Sequence, residues 1–278
     1  MSHKEISIHK TSPEMVAALR VCLSNRGGAG GASYMVKMWQ YALDGAKLAE
    51  EPSCEGGYND ALPYLPCDLE SIGLPLTRTS RVLDVGCLGG YGLYDLASQL
   101  RRTVKVVPVL VGLDVDAASI SLGKELARIW GKGLSVSFYK RKLEDIDVDL
   151  GCFDLVLCRL VLPYAHIHAA MAALRSYCKV EGVLVLQVHS PYYYVDRILH
   201  SFKSPRKMFY YFRPLVQGVL FGVLGIQLRG RWWQEVALNR RSMLRLLRSY
   251  SFDIVSITGH RRKPIYICKI VEQSEDAS

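Results

Sequence analysis

The sequence predicts an α/β fold built on a largely parallel sheet, and three observations carry that expectation. From Arg81 to Gln187 short apolar runs alternate with segments of helical periodicity, so consecutive strands must be joined by crossovers. The first of those runs opens directly into a glycine-rich turn, Val82 to Gly92, VLDVGCLGGYG. Two late strands, Val255 to Thr258 and Pro264 to Val271, follow a long interruption. At 278 residues, half of them hydrophobic, the chain suits one large domain with an embellishment or two small ones, with a sizeable core.

Residues 1 to about 50 read as helical around a break at Asn25 to Ala32, NRGGAGGA, and Tyr34 to Glu50 alternates apolar and polar residues at helical spacing. The opening MSHKEISIHKTSPEM holds no apolar run and no small-residue cleavage site, which makes a cytoplasmic location the default. The eight cysteines form no C-x-x-C pair and no cluster with histidines, so buried thiols are expected and no metal site.

Val82 to Val85 is apolar apart from Asp84, as in a strand buried on both faces. Gly86 and Gly90 permit positive φ and a closer main-chain approach to a ligand than any Cβ allows, and the helical segment Leu93 to Leu100 follows. Asp84 lies two residues before the first glycine, where a carboxylate draws in a cationic α-amino group; this points to a nucleoside that carries an amino acid. Val109 to Asp114, VLVGLD, reads as a second buried strand ending in an acid. Leu134 to Tyr139 reads as a third, Phe153 to Cys158 as a fourth, and Val183 to Val188 as a fifth.

Taken in order, these segments resemble the class I S-adenosylmethionine-dependent methyltransferases. Asp84, Gly86 and Gly90 fit that family's first motif, acid-x-Gly-x-Gly-x-Gly, with Leu88 at the middle glycine position and Gly89 after it. Phe153 to Cys158 and Lys179 to Gln187, KVEGVLVLQ, match its fourth strand and the turn into its fifth. The resemblance implies a Rossmann-like fold whose last pair of strands closes the sheet antiparallel, and S-adenosylmethionine as cofactor. It implies that Asp84 serves the amino group, that Gly86, Cys87 and Gly90 form the loop, and that Asp114, with Val115 beside it, binds the ribose hydroxyls. Leu143 would meet the adenine and Cys158 line the site. Where the family often places an adenine-binding Asp, alignment puts Lys142, with Glu144 or Asp145 as substitutes. The N-terminal segment, residues 1–75, would fold over the cofactor as a helical lid, a helix packed on the far side of the sheet being the alternative; residues 76–189 would be the core.

Residues 190–235 form an insertion unusually long for a connection between strands, expected to be helical, followed by a C-terminal helix and strands over 236–278. Pro191 to Tyr194 is PYYY and Met208 to Phe212 is MFYYF, a density of aromatics that suits a substrate cap, with Tyr192, Tyr193 and Tyr194 as candidate substrate contacts and helix packing as the alternative. Pro214 to Leu228 carries no charge, yet its fifteen residues fall short of the roughly twenty that cross a bilayer. A buried helix or one lining a lipophilic site is expected there, with peripheral membrane contact a further reading. Residues 197–263 contain fourteen Lys or Arg against Glu235 and Asp253, +12 of a total of +9, leaving −3 for the remainder. That basic face suits an anionic or lipophilic small molecule or an acidic lipid; no RNA-binding module accompanies it, so nucleic acid is the less favoured partner.

The candidates for chemistry stand where the fourth and fifth strands end. His189 could take a proton from a hydroxyl or ammonium, since histidine is the side chain whose neutral form is abundant near neutral pH; a hydrogen-bonded edge residue is the alternative. Arg159 and Tyr164 could orient an anion or polarise an oxygen. His166 and His168, at a helix start, are expected to cap or face solvent. The reading is a methyltransferase acting on an O or N atom of an aromatic, lipidic or sugar-linked metabolite. The alternatives are an RNA methyltransferase and a protein that senses or converts S-adenosylmethionine without methylating an acceptor. The oligomeric state stays open.

Overall fold

The computed structural model describes residues 74–270 apart from 91, 95, 98–99, 101–104, 131–132, 146–149, 203, 231–232 and 234. The expected N-terminal helices and hinge, in residues 1–73, lie outside the described residues. In chain order come β1 (Arg81–Val85), β2 (Val109–Asp114), α1 (Ala117–Trp130), β3 (Val136–Lys140), β4 (Phe153–Arg159) and a 3-10 turn at Leu162–Tyr164. Then follow α2 (Ile167–Tyr177), β5 (Cys178–Gln187), α3 (Pro191–Leu199), α4 (Pro205–Leu224), α5 (Arg240–Ser249), β6 (Phe252–His260) and β7 (Lys263–Ile270). After the glycine turn residues 92–94, 96–97 and 100 are helical.

The seven strands make one sheet in the order β3-β2-β1-β4-β5-β7-β6. β1 to β5 pair in parallel, and β7 runs antiparallel to both β5 and β6. The reversed strand therefore lies one position in from the edge, and β6 is outermost. Alternation along the buried strands feeds two cores. Leu83 and Val85 of β1 join Val156, Leu184 and residues of α2 and α5 on one face. Val82 joins Leu110, Leu155, Leu157 and Leu126 of α1 on the other. Each such aliphatic side chain, fully buried, contributes about 1.5–3 kcal/mol, which is why strands covered on both faces read as near-continuous apolar runs.

The winding reverses between β1 and β4, and in an open α/β sheet the ligand crevice lies beyond the strand ends at that point. The strand bounds differ from the sequence expectation at β5, which begins five residues earlier at Cys178, at β3, which is shifted to Val136–Lys140, and at the late strands, which begin earlier and pair as a long hairpin. The expected insertion is helical as α3 and α4. Its uncharged stretch does not make a helix of its own: α4 starts nine residues before Pro214, carries that proline inside, and ends at Gly225, which takes φ 70 and caps the helix in the left-handed conformation.

Candidate functional site

β1 carries Asp84 into the sheet with no exposed surface. Arg159, the last residue of the neighbouring β4, meets it with Nη2 3.1 and 3.4 Å from the two carboxylate oxygens. Burial raises the Asp84 carboxyl above its ordinary range, and the Arg159 charge and hydrogen bond pull it back. The guanidinium also lies across the helix start, where a Cβ on Gly92 would stand 2.1 Å from Nη2. Arg159, expected to orient an anion or polarise an oxygen, thus pairs with the acid of β1.

The loop's shape has local causes. Gly86 takes φ +69, and a Cβ there would stand 2.2 Å from Cγ2 of Val161, so the chain's own packing excludes a side chain. Gly90, at φ +84, abuts the Phe138 ring, 2.5 Å from where its Cβ would be. Leu88 holds φ 48, keeping the left-handed backbone of the middle glycine position with a side chain attached, at a cost of about 1–2 kcal/mol. The N–H groups of Gly86 and Cys87 donate to the Leu113 carbonyl at 2.8 and 3.0 Å, stitching the loop to the end of β2. Asp114 next to it accepts from Leu88 N–H at 3.0 Å through one oxygen and from Asp116 N–H at 2.9 Å through the other. Each oxygen keeps capacity for a second donor. Burial raises this carboxyl too, opposed by those N–H groups.

Other expected cofactor residues vary in their surroundings. Cys87 and Cys158 are buried among the core residues of the two faces; burial pushes the Cys158 thiol up to about 12 and the Cys87 thiol well above its usual value. Val115 is 60% exposed at the mouth of β2, whereas Leu143 is buried. Glu144 accepts from the His166 N–H at 2.7 Å, and Asp145 from the Lys142 N–H at 3.3 Å, so both acids near Leu143 bind backbone. His166 caps α2 by accepting from Ala169 N–H, and His168 bonds the Tyr250 hydroxyl at 3.1 Å.

A second group forms beyond β5. His189 is buried, and its Nδ1 lies 3.1 Å from Oε1 of Glu235, itself buried. The Tyr194 hydroxyl donates to the same oxygen. Tyr164 is half exposed, but burial of its hydroxyl and the hydrogen bond to Glu235 push its phenol far above the ordinary range; Tyr194 is shifted the same way by the same causes. A carboxylate only accepts, so the neutral imidazole tautomer that suits the contact to Glu235 carries its proton on Nδ1 and has Nε2 as the acceptor. The Tyr193 ring stacks on His189 with centroids 4.0 Å apart, and Tyr194 meets it edge-on at 5.9 Å. Arg197 and Lys263 lie over Tyr193 at 5.2 and 5.8 Å, and Arg261 over the exposed Tyr192 at 5.5 Å.

Glu235 is the residue that sequence reasoning missed. It reaches the site because the segment after it is pinned: Val236 N–H donates to Pro163, Ala237 N–H to Pro214 and Leu238 N–H to the His189 carbonyl. The buried Gln217 of α4 clamps the return path, accepting from Leu228 N–H at 3.1 Å and donating to the Leu228 carbonyl at 3.0 Å. A signal was available: one of two acids in a strongly basic stretch, flanked by Trp232, Trp233 and the apolar Val236 to Leu238. Such an acid is more readily satisfied inside than solvated.

A family model described as a methyltransferase domain matches residues 76–211. No curated protein matches the sequence. Among solved structures the chain is similar to an S-adenosylmethionine-dependent methyltransferase from Methanosarcina mazei (16% identity, TM-score 0.52, 75% of this chain and 100% of that one). It is also similar to an O-methyltransferase family protein from Burkholderia thailandensis (13%, 0.52, 94% and 72%). A third likeness is to a putative S-adenosylmethionine-dependent methyltransferase from Listeria monocytogenes (15%, 0.50, 73% and 97%). At these identities the structures attest the fold, while the matched domain attests a methyltransferase domain over residues 76–211. The ordered motifs, the sheet order with its reversed seventh strand and the matched domain agree: residues 76–211 carry a methyltransferase domain on a Rossmann-like sheet, with S-adenosylmethionine as its cofactor.

Proposed function

We propose that this methyltransferase acts on an O or N atom of a small molecule, an aromatic, lipidic or sugar-linked metabolite, with His189 as the proton acceptor for the nucleophile. The observation that carries this reading is the buried contact between His189 and Glu235 just past the carboxyl end of β5. It orients the imidazole and, by holding the proton on Nδ1, presents Nε2 as a base.

The residues of the crevice suit the cofactor. The oxygens of Asp114 can each take one ribose hydroxyl beyond the N–H they already accept, and the Asp84–Arg159 pair offers a carboxylate and a guanidinium to the two charged ends of the amino-acid moiety. Val115 and Leu143 supply apolar contact for the base. S-adenosylmethionine brings a methyl group already activated by its sulfonium. What remains for the protein is to align the acceptor, exclude water and remove a proton. Tyr193 walls one face of His189, and Tyr194 donates to Glu235, which keeps the base in register. Arg197, Lys263 and Arg261 beside Tyr193 and Tyr192 favour an acceptor that is planar or anionic.

The test follows tritium from S-[methyl-³H]adenosylmethionine into a metabolite extract freed of macromolecules. Wild type should label it, and His189→Ala should lower the rate by about 10²–10⁴ while S-adenosylhomocysteine affinity holds. The acidic limb of the pH–rate profile should vanish in the variant. Label in RNA instead of small molecules, or a variant rate within about threefold of wild type, under about 1 kcal/mol, overturns the reading.

A further inference from the structure

Helix α4 has two apolar faces, and among the described residues only one is packed against the fold. Pro214, Gln217, Gly218 and Phe221 are buried against the rest of the fold; Gly218 leaves no room for a Cβ, which would stand 2.2 Å from the Ala237 carbonyl oxygen. On the other side Phe209, Phe212, Val216, Val219 and Val223 recur at spacings of three and four. Four of them are open to solvent, at 59, 53, 64 and 74% for Phe209, Phe212, Val219 and Val223. The fourteen steps from Phe209 to Val223 at the helical rise make a stripe about 21 Å long.

The charge around the stripe has one sign. α4 contains no acid, and Arg206, Lys207 and Arg213 lie in its first half. Arg213 rests on Phe209 and Tyr210, with its guanidinium carbon 5.7 and 5.1 Å from the ring centroids. At the other end Arg245 of α5 donates to the Gly222 carbonyl, bringing a further cation alongside. The surrounding residues 197–263 carry +12. An apolar stripe flanked by cations, with aromatics at the cationic end, is the composition of a helix that lies in the plane of a bilayer with its charges at the headgroups. Among the described residues no helix is long and apolar enough to cross a membrane, so contact in the plane is what this face allows. A second copy is a poorer occupant, because pairing two such faces about a twofold axis sets cation against cation.

We infer that the outer face of α4 docks the protein on an anionic lipid surface. The full-length protein is floated with vesicles of phosphatidylcholine containing phosphatidylglycerol, and with vesicles of phosphatidylcholine alone. Wild type should float with the acidic vesicles and much less with the neutral ones. The triple variant Phe209→Ser, Val219→Ser, Val223→Ser should lose about tenfold or more in partitioning, and Arg206→Glu with Lys207→Glu should abolish the preference for acidic lipid. These side chains are exposed, so S-adenosylhomocysteine binding should be unchanged in both variants and serves as the check on folding. A photo-reactive benzoylphenylalanine in place of Val219 identifies the occupant directly. Adducts with lipid support the proposal. Adducts with a second copy or with residues 1–73, or equal flotation on neutral and acidic vesicles, or no flotation at all, overturn it.

Discussion

At the β1–β2 end of the crevice the work is done by backbone shape and two acids at strand ends; at the β4–β5 end it is done by side chains gathered from a 3-10 turn, a strand end, a helix and a returning segment. The first end is stitched by main-chain bonds from the glycine loop to Leu113 and Asp114. The second converges on one carboxyl oxygen of Glu235, shared by His189 and Tyr194. A shape held by main chain fails as a whole when one Cβ is added, whereas a network of side chains should lose function by degrees as its members are removed. On the proposed function, the first plan suits an unchanging cofactor, and the second leaves room to change the acceptor.

The largest effect should come from Gly86→Val. A branched side chain there meets Val161 and demands a left-handed backbone, which together cost about 2–5 kcal/mol. The melting-temperature rise that S-adenosylhomocysteine gives wild type, about 2.7 kcal/mol of stability at a hundredfold excess over Kd, should be absent. Because the clash is internal, Gly86→Ala combined with Val161→Ala should bind better than Gly86→Ala alone; equal binding would mean that the loop's need for glycine lies in its backbone angle only.

Alkaline titration probes the burial within the sheet that carries both ends. Burial lifts the Cys158 thiol from 9.0 to about 12 and that of Cys268 on β7 likewise. A thiol raised in the folded state leaves stability intact below its unfolded value and removes it as pH climbs toward the folded one. Stability should therefore fall between about pH 9 and 12 by about 1.4 kcal/mol per pH unit for each thiol. Urea melts at stepped pH check this, and Cys158→Ala should flatten the slope whatever it does to stability at pH 7.

Glu235→Gln should come next, with turnover down about tenfold and S-adenosylhomocysteine affinity unchanged, since the amide still accepts from one neighbour but no longer favours a charged imidazole. Glu235→Leu, which strands the hydroxyl of Tyr194 and Nδ1 of His189, should cost more. If either variant loses cofactor binding in proportion to turnover, the two ends are not separable. The smallest effect belongs to Tyr192→Ala: the residue is 60% exposed beside Arg261, and kcat should stay within about threefold, any change appearing in KM.

What could be read without coordinates was what depends on near neighbours in the chain. Asp84, Gly86, Gly90 and Asp114 announce themselves because an acid at a strand end and a glycine at positive φ are requirements of a few consecutive residues. The helical, aromatic character of the insertion was legible for the same reason. Tertiary structure alone decided that Arg159 pairs with Asp84, that Val161 fills the space above Gly86, and that Glu235 turns inward to His189. It also decided which face of α4 is spent on Ala237 and which is left open. Sequence periodicity specifies that a face is apolar and spacing specifies where a backbone must bend. Which distant residue satisfies a buried charge is settled only when the sheet order brings strand ends together, because a lone carboxylate in the interior takes the nearest donor the fold supplies.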